Sequence, residues 1–175
     1  GTLTICGLDP QDPQGDKEIL TVLTHMGCSI RWTGEQELTI IGPKKGSLGG
    51  GVFDLNAMPD ALPILAVTAC YAKERVELCN VPQARIKETD RIQVMCNNLL
   101  AVGAVIEEKE DGLVIEGKGT LAGGTCYGYD DHRVIMAMAI GALGAENPIT
   151  IEGIEAVGVT FPIFFSLLDS KIGSA

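Results

Sequence analysis

Two short segments concentrate ionisable side chains of the kinds used for proton transfer and anion binding. The segment from Arg85 to Arg91 reads RIKETDR, and residues 130–133 read DDHR. Carboxylates accept and return protons, whereas arginine and lysine bind phosphate and carboxylate groups. Each segment taken alone is equally compatible with a capped helix start whose charges are solvated, so the local pattern leaves both interpretations open.

Both segments stand directly before apolar helical patterns. Acids lie at four predicted helix starts: Asp16, Asp60, Asp90 and Asp131. We expect most of them to be N-caps, because a carboxylate there accepts from free backbone N–H groups. A helix N-terminus also attracts anions, so helices that run in the same direction would gather an anion site at one face. The cations at or near such starts are Arg85, Lys87, Arg91, His132 and Arg133.

Composition narrows the class of protein and of partner. The chain has 175 residues, of which 46% are hydrophobic and 21% charged, which favours one domain with a sizeable core. A net charge of −10 makes nucleic acid and anionic membranes poor partners. The sequence contains neither an apolar run of the roughly 18 residues that a membrane span needs nor a recognisable secretory signal at its start.

The cysteines argue against a zinc site. None of the six forms a CxxC pair, and the two histidines, His25 and His132, are far apart in sequence. Most cysteines have apolar or small neighbours, so we expect buried, reduced thiols and a cytoplasmic setting. The six are Cys6, Cys28, Cys70, Cys79, Cys96 and Cys126.

One internal repeat relates residues 17–30 to residues 92–106. A shift of 76 positions places Ile19, Leu23, Met26 and Gly27 onto Met95, Leu99, Val102 and Gly103. This spacing describes one face of a helix that ends at a glycine C-cap. Two alternating segments around a polar turn follow in both copies, which predicts a β-hairpin after each helix.

A second repeat relates residues 58–78 to residues 129–151. Each copy has an aspartate, then a nearly all-apolar run, a polar turn and a β-branched segment. A helix that is apolar on every side is a buried helix. Pro63 falls in the first turn of the first copy, where its missing N–H costs little.

These repeats predict an α/β fold in which residues 1–175 form a single domain. Residues 52–118 make one complete βαβαββ unit, residues 1–46 resemble the end of such a unit, and residues 120–172 resemble its beginning. Three related units imply pseudo-symmetry around buried helices. We expect residues 46–51, GSLGGG, to be a flexible connection between units.

Five segments carry a resemblance to a known family: MPDALPILAVTACYA, RIKETDR, VGAVIE, YDDHRVIMAMAIGAL and GVTFPIFFSLL. In this order and spacing they resemble the 5-enolpyruvylshikimate-3-phosphate synthases, or 3-phosphoshikimate 1-carboxyvinyltransferases. The resemblance covers essentially the whole chain and corresponds to most of the family's C-terminal domain, the N-terminal domain being absent. It implies an inside-out α/β barrel of βαβαββ repeats, the enolpyruvyl transferase fold, with buried parallel helices and the sheets outside.

The resemblance also implies a reaction of the shikimate pathway, which leads to aromatic amino acids. The carboxyvinyl group of phosphoenolpyruvate moves to the 5-hydroxyl of shikimate 3-phosphate through a tetrahedral adduct, without metal or organic cofactor. Asp60 matches a proton acceptor near the substrate hydroxyls, and Glu88 matches the glutamate that handles the proton at the methylene carbon. The division of these two proton transfers between the carboxylates stays open.

The remaining implied roles concern substrate binding. Lys87 matches a lysine on the shikimate-phosphate side, and Arg91 and Arg133 match arginines that bind phosphoenolpyruvate. His132 supports that site or is a surface histidine, and Gln83 replaces an asparagine that faces the substrate in some members. The full set of predicted substrate-binding residues is Gln83, Arg85, Lys87, Arg91, His132 and Arg133.

Two departures affect the expected activity. Val159 stands where many members have a lysine that contacts phosphoenolpyruvate. The family's N-terminal domain, which supplies half of the cleft, has no counterpart here, so we expect the chain alone to fold without turnover and to expose a face capable of self-association. The alternatives are a non-catalytic anion-binding or interaction module, and the related UDP-N-acetylglucosamine enolpyruvyl transferase, which lacks the KETDR and DHR pair.

Overall fold

Strands and helices alternate along the part of the chain that the structure, a computed structural model, describes, residues 1–172. The strands are β1 (Thr2–Cys6), β2 (Ser29–Gly34), β3 (Glu37–Ile41), β4 (Gly51–Asp54), β5 (Arg75–Cys79), β6 (Val105–Lys109), β7 (Gly112–Glu116), β8 (Gly124–Tyr127) and β9 (Ile149–Glu152). The helices are α1 (Ile19–His25), α2 (Leu62–Cys70), α3 (Arg91–Ala101), α4 (His132–Ala142), α5 (Glu155–Thr160) and α6 (Phe164–Ile172). Short 3₁₀ turns precede α1, α2 and α3, at Gly15–Glu18, Pro59–Ala61 and Pro82–Ile86.

The strands form three sheets. The first has the order β1-β3-β2 and is antiparallel throughout. The second has the order β4-β5-β7-β6, with β4 and β5 parallel and the other pairs antiparallel. The third contains only the parallel pair β8 and β9. Parallel neighbours need a crossover connection, and α2 and α4 provide it for the two parallel pairs.

The core lies between α2 and the helices that surround it. Leu62, Leu65 and Ala66 of α2 are buried, as are Val134 and Met138 of α4, and these two helices pack against each other. Burying a leucine side chain stabilises the fold by about 1.5–3 kcal/mol, so this contact is a principal source of stability. Although α2 is apolar on every side, no helix within residues 1–172 is long and apolar enough to cross a membrane.

The two copies of the first repeat end in the same way. The backbone N–H of Cys28 donates to the carbonyl of Leu23, and the N–H of Ala104 donates to the carbonyl of Leu99, both at 2.9 Å. The intervening glycines have φ angles of +105° and +90°. This six-to-one bond and the left-handed glycine are the Schellman ending of a helix, so both predicted C-caps are confirmed. The predicted hairpins follow as β2–β3 and β6–β7.

The glycine-rich segment 46–51 is held in place by backbone contacts. The N–H of Gly49 donates to the carbonyl of Met26 at 2.8 Å, and the carbonyl of Leu48 accepts from Lys73 at 2.9 Å. A Cβ atom on Gly50 would lie 2.3 Å from the carbonyl oxygen of Arg75. Glycine is required at position 50 because two backbones approach each other closely there. We expected a flexible connection from the glycine content, but these glycines serve close packing.

A buried asparagine joins α3 to β8. The side-chain amide of Asn98 donates to the carbonyl of Tyr127 at 2.8 Å and accepts from its N–H at 3.0 Å. Asn98 is 1% exposed, and both of these bonds satisfy polar groups that burial would otherwise leave unpaired. The contact ties α3 to the strand that leads into α4, and so helps to hold the two helix starts next to each other.

Candidate active site

Two of the four predicted aspartate caps are present. Asp90 accepts from the backbone N–H three residues further on at 3.0 Å, and Asp131 accepts from the N–H of Arg133 at 2.9 Å. Asp16 and Asp60 lie in 3₁₀ turns and cap no helix, so the cap prediction is wrong for these two. The Asp60 carboxylate is used for ion pairs instead.

Arg91, the first residue of α3, is buried among three carboxylates. Its Nε atom donates to Asp131 Oδ2 at 2.7 Å, and its Nη2 atom donates to Asp131 Oδ1 at 3.2 Å. The Nη1 atom donates to Asp60 Oδ1 at 2.7 Å, and Nη2 also donates to Glu88 Oε2 at 2.6 Å. The Arg91 side chain has 0% exposure, and a buried guanidinium is tolerable only with such close partners.

Asp60 is the meeting point of the cations. Besides Arg91, it pairs with Lys87 Nζ at 3.2 Å through Oδ1 and with Arg133 Nη2 at 3.1 Å through Oδ2. Partial burial raises the pKa of the Asp60 carboxyl, but the Lys87 hydrogen bond and the charges of Arg133, Arg91 and Lys87 outweigh it and hold that pKa below its ordinary value. Asp60 is therefore ionised and shared among cations from three segments.

These contacts define one group, which we call the Arg91 cluster: Asp60, Lys87, Glu88, Arg91, Asp131 and Arg133. Its three acids and three bases balance in charge. Arg91 and Asp131 form a fully buried floor, whereas Glu88, Arg133 and Lys87 keep 46%, 37% and 32% of their side chains exposed. The starts of α3 and α4 and the turn before α2 thus converge, as the sequence predicted.

Burial alone would disfavour the charged form of Arg91. It lowers the pKa of the guanidinium, but hydrogen bonding to Asp131 and the charges of Asp131, Glu88 and Asp60 raise it above its ordinary value. Arg91 is therefore charged at neutral pH. A cavity of about 240 Å³ adjoins the cluster. Its lining residues are Asp60, Pro63, Ile64, Arg133, Met136, Ala137 and Ile140.

Arg85 is not a member of the cluster. Its Nη1 atom donates to Asp90 at 2.8 Å, and its Nη2 atom pairs with Glu108 at 2.9 Å. Nε and Nη2 also donate to the backbone carbonyls of Glu110 and Lys109, both at 2.7 Å. Arg85 thus fastens the segment before α3 to the β6–β7 hairpin, on contacts that are separate from those of the cluster.

Three other residues that the sequence singled out lie outside the cluster's contacts. The side-chain amide of Gln83 donates to the Asn56 carbonyl at 3.0 Å, which holds it to the loop after β4. His132 is the first residue of α4 and is partly buried, and within residues 1–172 its imidazole makes no hydrogen bond or ion pair. Val159 is on α5 with 84% of its surface exposed.

Asp131 is the site residue that sequence reasoning missed. The pattern identified it as a helix cap, and it is one, but the same carboxylate also holds Arg91 through both oxygens. Its 0% exposure sets it apart from Asp130, its exposed neighbour. The sequence could have indicated this role only if the segments 85–91 and 130–133 had been considered together. An aspartate that is buried at the start of an apolar helix needs a cation as its partner.

Cysteines and metal-binding groups give no second site within residues 1–172. All six thiols are free, and no group of three or more His, Cys, Asp or Glu side chains is placed to hold a metal ion. Cys70, Cys96 and Cys126 are buried, as expected, while Cys6 is exposed. Burial raises the pKa of the Cys70 thiol to about 12 and that of Cys126 to about 11, so neither ionises near neutral pH.

Two solved structures share this architecture. EPSP synthase from Acinetobacter baumannii superposes with a TM-score of 0.82 and 28% sequence identity, over 97% of this chain and 41% of that one. The enolpyruvyl transferase NikO from Streptomyces tendae gives a TM-score of 0.74 over 97% of this chain and 38% of its own, and its 19% identity supports the fold alone. The predicted α/β enolpyruvyl transferase fold is confirmed.

Within this class the sequence identifies the family. Residues 1–168 match the family model of EPSP synthase (3-phosphoshikimate 1-carboxyvinyltransferase), and the chain belongs to this family. The 3-phosphoshikimate 1-carboxyvinyltransferase of Acetivibrio thermocellus is 50% identical over 95% of the chain, and that of Ruminiclostridium cellulolyticum is 46% identical over 96%. The chain spans 38% and 39% of the length of these two relatives.

Proposed function

We propose that the chain forms one wall of the active site of a 3-phosphoshikimate 1-carboxyvinyltransferase. In this reaction the carboxyvinyl group of phosphoenolpyruvate is transferred to the 5-hydroxyl of shikimate 3-phosphate in the shikimate pathway. The observation that carries the proposal is the Arg91 cluster, in which acids and accessible cations meet at converging helix starts. Relatives with 50% and 46% identity carry this enzyme's name, which supports the assignment.

The reaction needs three proton transfers, for which the cluster offers two carboxylates. When the hydroxyl oxygen bonds to C2 of phosphoenolpyruvate, the hydroxyl loses its proton and the methylene carbon gains one. When the C2–O bond to phosphate breaks, phosphate leaves and the new methyl group loses a proton. By the family resemblance we assign the hydroxyl proton to Asp60, and the gain and later loss of the carbon proton to Glu88. Arg91 holds the two carboxylates on separate nitrogens, so each can act independently.

The three cations of the cluster differ in how accessible they are to a ligand. Lys87 and Arg133 are partly exposed and can reach the anionic groups of a ligand, and charge-assisted bonds to them would stabilise the adduct. Arg91 has no exposed surface, so it contacts a ligand only after a neighbouring carboxylate moves away. Glu88, at 46% exposure, is the neighbour that is free to turn outward. We propose supporting roles at the edge of the site for Gln83, Arg85 and His132.

The opposite wall must come from elsewhere in a longer polypeptide or from a second chain. The chain covers less than two fifths of the length of its relatives, and the exposed side of the cluster faces solvent. We propose that the part of the relatives without a counterpart here closes over Lys87, Glu88 and Arg133, as two-domain enzymes close on substrate. Six free cysteines fit the cytoplasmic setting that we infer for this reaction.

A complementation assay tests this function. The chain is mixed with the unmatched segment of the Acetivibrio thermocellus relative, and phosphate release is measured with both substrates. We expect no turnover from the chain alone and turnover from the mixture. Glu88→Gln should lower the rate at least about 100-fold, which is the usual contribution of a general acid–base group. Glu107→Gln, on the exposed strand β6, is the matched control and should leave the rate unchanged.

Two results would contradict the proposal. Full turnover by the chain alone would remove the need for a second wall, and an unchanged rate for Glu88→Gln would exclude its proton role. A mixture that binds substrates without turnover would favour a non-catalytic anion-binding module, the second candidate. That candidate is supported by Val159, which offers no charge where many family members have lysine.

The open face is also a candidate surface for self-association. Ile86, next to Lys87, is 84% exposed on this face, so a substitution there can test the association. Light scattering should then give a mass above that of a monomer, and Ile86→Ser should lower it. A monomeric mass at high protein concentration would exclude this association.

A further inference from the structure

Both accessible cations of the Arg91 cluster are already bound to a carboxylate. Lys87 Nζ lies 3.2 Å from Asp60 Oδ1, and Arg133 Nη2 lies 3.1 Å from Asp60 Oδ2. A ligand anion that approaches either cation therefore meets a competitor that occupies the same donors. Asp60 is itself 28% exposed, so it borders the space that such an anion would enter.

This arrangement indicates that a ligand anion must replace the Asp60 carboxylate on these cations and cannot simply bind beside it. We propose that a phosphate-like dianion binds Lys87 and Arg133 by displacing Asp60 from both, and that this release converts Asp60 into an effective proton acceptor. The inference rests on the proposed function and concerns the order of events at the same site. Anion binding thereby prepares Asp60 to accept the hydroxyl proton.

The physical reason lies in the charges that face Asp60. Lys87 comes from the segment before α3, Arg91 from α3 and Arg133 from α4. Glu88 and Asp131 bind Arg91 through nitrogens other than the one that binds Asp60. With three cations around it, Asp60 holds a proton poorly. An anion that takes two of these cations and adds its own negative charge makes proton binding to Asp60 more favourable.

The charge balance of the cluster supports the same conclusion. Three acids and three bases leave no net charge to attract a dianion. At a pH low enough to protonate Asp60, the cluster carries one surplus positive charge, which favours the bound anion. Anion binding and proton uptake at Asp60 are therefore coupled, and each promotes the other.

Carbon-detected NMR of the side-chain carboxyls tests the coupling directly on this chain. Sulfate serves as the probe, since it stays doubly charged throughout the titration, and chloride is used to match the ionic strength. We expect saturating sulfate to raise the titration midpoint of Asp60 in a scan from about pH 3 to pH 7. Glu107, which pairs with Lys109 at 2.5 Å on the remote strand β6, is the internal control and should keep its midpoint.

A substitution tests the same coupling in the reverse direction, from Asp60 to sulfate binding. Asp60→Asn retains the shape but removes the competing charge, so sulfate should bind about tenfold more tightly. A merely structural role for Asp60 predicts unchanged or weaker binding. Arg133→Met should weaken sulfate binding, which places the probe at this site.

The possible outcomes distinguish the displacement of Asp60 from the existence of the anion site. Sulfate binding that depends on Arg133 but leaves the Asp60 midpoint unmoved would overturn the displacement and leave the anion site intact. No sulfate binding that depends on Arg133 or Lys87 would overturn both the displacement and the anion site of the proposed function. The wild-type titration needs no variant, so the test stands even if Asp60→Asn does not fold.

Discussion

The two arginines at the ends of RIKETDR occupy opposite environments. Arg91 has no exposed surface, and it binds Asp60 and Asp131, which are 31 and 40 positions away in the sequence. Arg85 retains 26% exposure, and its partners are Asp90 and one hairpin. Both make four or more polar contacts, so contact number does not separate them. The two arginines differ in burial, and burial matters because an unpaired charge in the interior is not solvated by water.

The two environments are connected through one residue. One oxygen of Asp90 accepts from Arg85, and its other oxygen caps α3, whose first residue is Arg91. The partly exposed Arg85 therefore stabilises the helix start that carries the buried Arg91. We expect the energetic weight to decrease along this chain of contacts, from Arg91 to Arg85 to the Asp90 cap.

The largest effect is expected for Arg91→Met. This change leaves the fully buried carboxylate of Asp131 without its cation, and breaking a buried pair costs about 3–5 kcal/mol. Urea denaturation of the variant should show this loss in the free energy of unfolding. Arg75→Met is the matched control, since Arg75 is 56% exposed and pairs with the surface residues Glu77 and Glu116, and it should cost less than about 1 kcal/mol.

Arg91→Lys refines this first prediction. Lysine keeps the charge but lacks the planar fork that bonds Asp131 through two atoms, so its loss should lie between those of Arg91→Met and Arg75→Met. Equal stability of Arg91→Met and Arg75→Met would refute the importance that we give to burial.

A smaller loss is expected for Arg85→Met. Two ion pairs and two backbone contacts disappear, but the partners are partly solvated, so the free energy of unfolding should fall by about 1–2 kcal/mol. Chemical denaturation under the same conditions measures it. A loss that equals or exceeds that of Arg91→Met would reverse the ranking.

The Asp90 cap should contribute less again. Asp90→Ala removes the acceptor of the α3 N-terminus and should cost about 1 kcal/mol, whereas Asp90→Asn keeps a good cap and should cost less. Thermal unfolding of both variants gives the difference. If the two variants lose the same amount, the pairing with Arg85 rather than the cap determines the role of Asp90.

The smallest effect is a dependence of stability on pH. The pKa of folded Asp60 lies below the ordinary value of 3.8, so its contribution is present above that value and is lost as pH falls through the lowered pKa. Asp60→Asn should therefore reduce the acid sensitivity of the unfolding free energy by less than about 1 kcal/mol. Denaturation curves at several pH values below 6 measure it, and an unchanged slope would contradict the ion pairs of Asp60.

The sequence by itself determined the helices, the hairpins and the places where chemistry could sit. The nearly all-apolar sequences of α2 and α4 predicted that these helices are buried, because a helix without a polar face is not stable in contact with water. The shared spacing of Leu23 and Leu99 predicted two helices with the same glycine ending. These are local properties, and each is set by residues within one or two turns of the chain.

Only the tertiary structure decided which charges meet. Asp60 and Asp90 look alike in sequence, yet one is an ion-pair centre and the other a cap. Arg85 and Arg91 look alike too, yet only Arg91 is buried. The choice depends on packing that joins segments 31 and 40 positions apart, where burial selects the one pairing that leaves no charge unsatisfied.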